Sequence, residues 1–117
     1  MRGGSRMQRV NELLREVVAE EIRELKDPAV GFVTVTGVDT SPDLRSARVY
    51  YTAMGDETQQ EESSRALSRA TVRVQSRMGA QIRLKYTPRL EFRVDPSIAA
   101  GLHMEEVLRI VRDHEHG

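Results

Sequence analysis

Residues 31–53 read GFVTVTGVDTSPDLRSARVYYTA. Two runs rich in β-branched and aromatic residues, 31–40 and 45–53, flank Ser41-Pro42-Asp43, a combination that favours chain reversal. The stretch predicts an antiparallel hairpin, with branched side chains on a pleated surface and Pro42 and Asp43 in the turn. An isolated hairpin is marginal in water and needs a further strand or a covering helix to bury its apolar face. The flanking sequence supplies both.

Upstream, Val10, Leu13, Leu14, Val17, Val18, Ile22 and Leu25 recur at spacings of three and four, the apolar stripe of a core-facing helix. Ser5 with Gln8 suits a capping box, and Asp27-Pro28 ends the helix because the residue before proline is driven out of the helical region. Its other side carries Glu12, Glu16, Glu20 and Glu24.

Downstream, GDETQQEE is a polar connection in which Thr58 and Glu61 offer a second capping box. The helix that follows contains RALSRATVRVQSR, residues 65–77, with Arg65, Arg69, Arg73 and Arg77 four residues apart along one side. Residues 80–86 read either way: Ile82, Leu84 and Tyr86 suit a strand, while Val74, Met78 and Ile82 suit a continuing helix. PRLEFRVD alternates Leu90, Phe92 and Val94 with Arg89, Glu91 and Arg93, a half-buried third strand. Pro96-Ser97 opens a short C-terminal helix with Met104, Val107, Leu108 and Val111 as its apolar positions. The order is that of an α+β domain with a three-stranded sheet and helices on one face. At 117 residues it is one domain, with residues 1–5 and 113–117 expected as flexible ends.

Basic and acidic residues number 18 each, so net charge gives no general argument for binding nucleic acid. Its distribution does. Residues 65–93 hold eight basic residues against Glu91 alone, net +7, and the remainder is net −7. The four-arginine row costs about 1 kcal/mol of helix stability through like-charge repulsion. Two readings fit it: a surface for phosphate, whose geometry the planar guanidinium matches, or a partner for the first helix's glutamate row. Val72 falls almost opposite Ala66, Leu67, Ala70 and Val74 on a helical wheel. Either it is a single exposed valine, or the helix bends near Thr71-Val72 into two helices with arginine pairs flanking the bend.

The absence of cysteine excludes a disulfide scaffold, a cysteine zinc site and thiol catalysis, and fits a reducing cytoplasm. No run reaches the roughly 20 apolar residues that cross a bilayer. There is no P-loop, nucleophile elbow or HExxH. His103, His114 and His116 carry no further ligand pattern. Neither a cofactor, a metal nor an enzyme is expected. The five aromatics, Phe32, Tyr50, Tyr51, Tyr86 and Phe92, are assigned to core packing.

The run RVNELLREVVAEEIRELKDPAVGFVTVTGVDTSPDLRSARVYYT, the helix around Ala70, and TPRLEFRVDPSIAAGLHMEEVL together resemble bacterial ribosome-binding factor A, from about Arg9 to Val111. The resemblance implies a type II KH-like fold, α-β-β-α-kink-α-β with a short C-terminal helix. KH domains hold a nucleic-acid backbone at a GxxG loop, which this chain lacks. The family has an Ala-x-Gly helix-kink-helix there, aligned with Ala70-Thr71-Val72, and Val72 removes the backbone freedom of the glycine.

The resemblance further implies a cytoplasmic assembly factor that binds the small (30S) ribosomal subunit and 16S rRNA. It assists late maturation, including 5′-end processing of the precursor, matters in the cold, and is linked to a ribosome-associated GTPase for release. Arg65, Arg69, Arg73, Arg77, Arg83 and Lys85 are the expected RNA-binding residues, with Arg6 and Arg9 behind them. A monomer is expected. The rival reading is a protein-interaction module whose basic segment recognises an acidic partner.

Overall fold

The structure, a computed structural model, describes residues 2–96, with side chains from Arg6 onward. The hairpin forms as expected. Strand β1 (Val33–Thr40) pairs antiparallel with β2 (Ser46–Ala53). Between Val35 and Gly37 the register shifts by a bulge that takes Thr36 out of the pairing. Strand β3 (Arg89–Val94) lies parallel to β2 on its other edge, giving the order β1-β2-β3. A parallel pair needs a long crossover, and helix α2 (Glu57–Gln81) provides it.

Helix α1 (Arg2–Arg23) and α2 cover one face of this sheet. Leu14, Val18 and Ile22 from α1, and Ala66, Leu67, Val74 and Met78 from α2, pack with Val35, Ala47, Val49, Tyr51 and Leu90. Tyr51 and Phe92 meet edge to face at 6.5 Å. The helical stripe of α1 is wider than the surface covering it, so Leu13 remains 45% exposed. Asn11 Oδ1 accepts a hydrogen bond from Thr40 N–H at 3.0 Å, fixing α1 against the end of β1.

Neither expected capping box forms at its expected residues. Helix α1 begins at Arg2, so Ser5 lies within it. In α2 the cap is Asp56, whose carboxylate accepts from Gln59 N–H while the Gln59 side chain accepts from Asp56 N–H, each at 2.8 Å. Asp56 precedes Thr58, and the reciprocal pair it forms with Gln59 satisfies two orphan donors two residues earlier.

The two helices expected around Ala70-Thr71-Val72 are one. Helix α2 runs unbroken through these residues. The Thr71 hydroxyl donates back to the Leu67 carbonyl at 2.9 Å, an i−4 bond that an α-helix accommodates. Leu67 on one side and Val74 and Met78 on the other are buried in the same core, so both halves are anchored to it. Val72 costs the helix only about 0.5 kcal/mol. It is the exposed valine of the alternative reading, at 79% exposure.

A short 3₁₀ turn, Pro28–Val30, joins α1 to β1. Asp27 caps it by accepting from Ala29 N–H at 3.0 Å, and Val30 enters the core. Gly31 leaves it at φ 66°, a left-handed conformation that costs other residues more. The buried Ser63 hydroxyl of α2 donates to the Val30 carbonyl at 2.7 Å, which ties this turn to the helix. After α2, residues 82–88 form neither helix nor strand. Gly79 admits them closely, since a Cβ there would sit 3.1 Å from Thr87. The expected C-terminal helix and all three histidines lie outside the described residues.

Candidate nucleic-acid interface

Four residues advance an α-helix by about 400°, so an i,i+4 row drifts about 40° at each step. Over Arg65, Arg69, Arg73 and Arg77 the row winds from the side opposite the core toward α1. This drift separates the four arginines chemically.

Arg77 donates to Glu21 Oε1 at 2.9 Å, and Gln81 donates to Glu21 Oε2 at 2.6 Å. The Glu21 side chain is only 8% exposed, and a buried carboxylate without partners is costly. Arg77 therefore stabilises the α1–α2 contact. Arg69 reaches Asp27 at 3.3 Å, but both side chains are well exposed, so this ion pair contributes little. A hydrogen bond from the Ala29 backbone, with a second from Arg69, holds the Asp27 carboxyl below its usual range. Arg93 pairs with Glu91 on β3.

The glutamate row of α1 does not take up the arginines. Glu12 pairs with Arg15 and Glu20 with Arg23, each within α1. Glu21, which does take one, was missed in the sequence. Its signal is that it lies roughly 20° from Leu14 on a helical wheel, in the middle of the apolar stripe.

Arg65, Arg73, Arg83 and Arg89 make no side-chain hydrogen bond or ion pair among the described residues and are exposed. Lys85 is also exposed, its Nζ 5.6 Å from the Tyr86 ring centre. The net +7 segment thus resolves into three cations engaged with carboxylates and five available ones, on α2 and on the 82–89 segment beside its last turn. Unpaired guanidinium and ammonium groups on an exposed surface are suited to phosphate. Of the nine residues expected at the site, Ala70 and Thr71 are half-buried and support the helix, and Val72 stands among the basic side chains.

The aromatics divide as well. Tyr51 is buried and Phe92 half-buried, as core packing requires, whereas Phe32 is 75% and Tyr86 37% exposed.

The model of the family described as "Ribosome-binding factor A" matches residues 6–108. The chain belongs to the ribosome-binding factor A family. A relative of that name from Natranaerobius thermophilus is 40% identical over 107 residues, covering 91% of this chain and 82% of its own. The crystal structure of ribosome-binding factor A from Thermus thermophilus superposes with a TM-score of 0.69 at 35% identity, over 75% of this chain and 94% of that one. A Thermus thermophilus ribosome-binding factor A fitted into a cryo-EM map of a 30S complex superposes at 0.60, with 37% identity over 72% and 89% of the two chains. These structures carry the KH-like fold, and the present chain shares it. No helix among the described residues is long and apolar enough to cross a membrane.

Proposed function

We propose that this protein is a cytoplasmic, monomeric ribosome assembly factor that binds the small ribosomal subunit and contacts 16S rRNA through the exposed basic side of α2. It assists late maturation, including 5′-end processing of the precursor, and a ribosome-associated GTPase releases it. The observation that carries this reading is the set of exposed cations without carboxylate partners, Arg65 and Arg73 on α2 and Arg83, Lys85 and Arg89 beyond it. Membership of the family and the 30S complex of the Thermus relative support the choice of partner. Phosphate contacts position the domain without reading sequence, and RNA shape supplies selectivity.

Co-sedimentation with small subunits, large subunits and free rRNA across a salt series tests the reading. The wild type is expected to pellet preferentially with small subunits. If it makes about four phosphate contacts, log affinity falls against log salt with a slope of roughly −3 to −4. Arg65→Glu/Arg73→Glu should weaken binding at least about tenfold and flatten the slope by about 2. Equal pelleting by both proteins would move the contact elsewhere. Salt-insensitive binding to a ribosomal protein alone would favour the protein-interaction module.

A further inference from the structure

The β1–β2 turn brings a second basic group beside Tyr86. The Ser41 hydroxyl donates to Asp43 and accepts from Ser46 N–H at 3.1 Å, Arg45 N–H donates to Asp43 at 3.1 Å, and Leu44 N–H donates to the Ser41 carbonyl at 2.9 Å. The turn is closed with Leu44 at φ 63°, a left-handed conformation uncommon for a residue with a side chain. Such conformations persist where the surroundings hold them in place. Here they deliver Arg45 to one position.

The Arg45 guanidinium carbon lies 4.4 Å from the Tyr86 ring centre, and one guanidinium nitrogen donates to the Tyr86 hydroxyl at 3.3 Å. Arg89 N–H donates to the Arg45 carbonyl at 2.9 Å, so β3 begins beside the same turn. Asp43 approaches the Arg45 side chain only to 4.0 Å, and its carboxylate is already occupied by the turn. The result is a planar cation held close to an aromatic ring with 65% of its side chain exposed, and with Lys85 and Arg89 as neighbours. The cation–π contact and the bond to the tyrosine hydroxyl restrict the guanidinium in advance of any ligand.

We propose that Arg45, Lys85, Tyr86 and Arg89 form a second RNA contact that holds one unstacked nucleotide, its base against the Arg45–Tyr86 pair and its phosphates on Lys85 and Arg89. This rests on the RNA-binding reading above and refines it. The α2 cations accept any phosphate backbone, whereas this group requires a base turned out of a helix. Stacking on arginine planes and aromatic rings is how proteins hold such bases.

The test compares binding of a single-stranded RNA hexamer and a 12-base-pair RNA duplex at one moderate salt concentration, using the full chain. Arg45→Ala/Tyr86→Ala should lose about tenfold on the hexamer and less than about twofold on the duplex. Arg45→Glu leaves the ring in place, guards against a folding defect in the double variant, and should show the same selectivity. Tyr86→Phe keeps the ring and should stay within about twofold of wild type. Arg65→Glu/Arg73→Glu should weaken both RNAs. Equal losses on hexamer and duplex, or no loss on either, would overturn the nucleotide contact while leaving the α2 surface intact. A wild type that binds neither RNA would overturn both.

Discussion

Arg73 and Arg77 stand one turn apart on α2 in the same repeating pattern, yet their environments are opposite. Arg73 faces solvent without an ion pair among the described residues, and Arg77 clamps a buried carboxylate. One residue type at one spacing has yielded a solvent-facing group and a structural group. The cause is the drift of an i,i+4 row around the helix, combined with what the neighbouring helix presents. A charge row is therefore a list of candidates, and its members are sorted by the surface each one reaches.

The largest effect is expected from removing the support common to both flanks. Leu67 is fully buried beneath α2, and Leu67→Ala should cost about 3–5 kcal/mol in urea unfolding, weakening subunit binding and the α1–α2 contact together. A loss below about 1 kcal/mol would mean that α2 is not held by this core.

Single changes on the two sides separate Arg73 from Arg77. Arg77→Met leaves Glu21 with Gln81 as its remaining partner and should destabilise the protein by about 1–2 kcal/mol, discounted because Arg77 is itself half exposed. Arg73→Met should stay within about 0.5 kcal/mol of wild type in the same assay. Equal costs would erase the distinction between them.

Val72→Gly addresses the continuity of the helix. It should cost about 0.5 kcal/mol and raise amide exchange at residues 69–74, since glycine restores the backbone freedom that valine withholds. Unchanged exchange would show that core anchoring alone keeps α2 continuous.

The smallest effect concerns Asp27. Its carboxyl titrates below the usual range because Ala29 N–H and Arg69 bond to the charged form. A depressed pKa contributes stability above the unfolded value, about 4, and that contribution is lost as pH falls through the folded one. Wild type and Asp27→Asn should differ near neutral pH and converge in acid, as thermal melts across pH would record. A constant gap at all pH values would assign the Asp27 effect to shape and remove charge from it.

Much of this molecule was legible in the chain. The β-branched and aromatic runs flanking the turn in 31–53, the alternation in 89–94 and the three-and-four spacing in α1 are local patterns, and each of these elements formed where its pattern stood. The cap of α2 moved because several polar residues near a helix start compete to serve its free N–H groups, and Asp56 with Gln59 serves two. The expected break at Thr71-Val72 did not form because two weak helix formers are outweighed by Leu67, Val74 and Met78 anchored in one core. Tyr86 reads as packing in the sequence because an aromatic residue near a strand carries no local mark of exposure.

Local pattern along the chain set the element order, the core-facing stripe of α1 apart from Leu13, the family and the concentration of positive charge in residues 65–93. Tertiary structure alone decided that β3 runs parallel beside β2, that Arg77 meets Glu21 across 56 residues, and that Arg45 meets Tyr86 across 41. The physical reason is one of range. Periodicity and turn chemistry act between neighbours along the chain, whereas the state of a charged side chain depends on whatever the fold brings within a few ångströms of it.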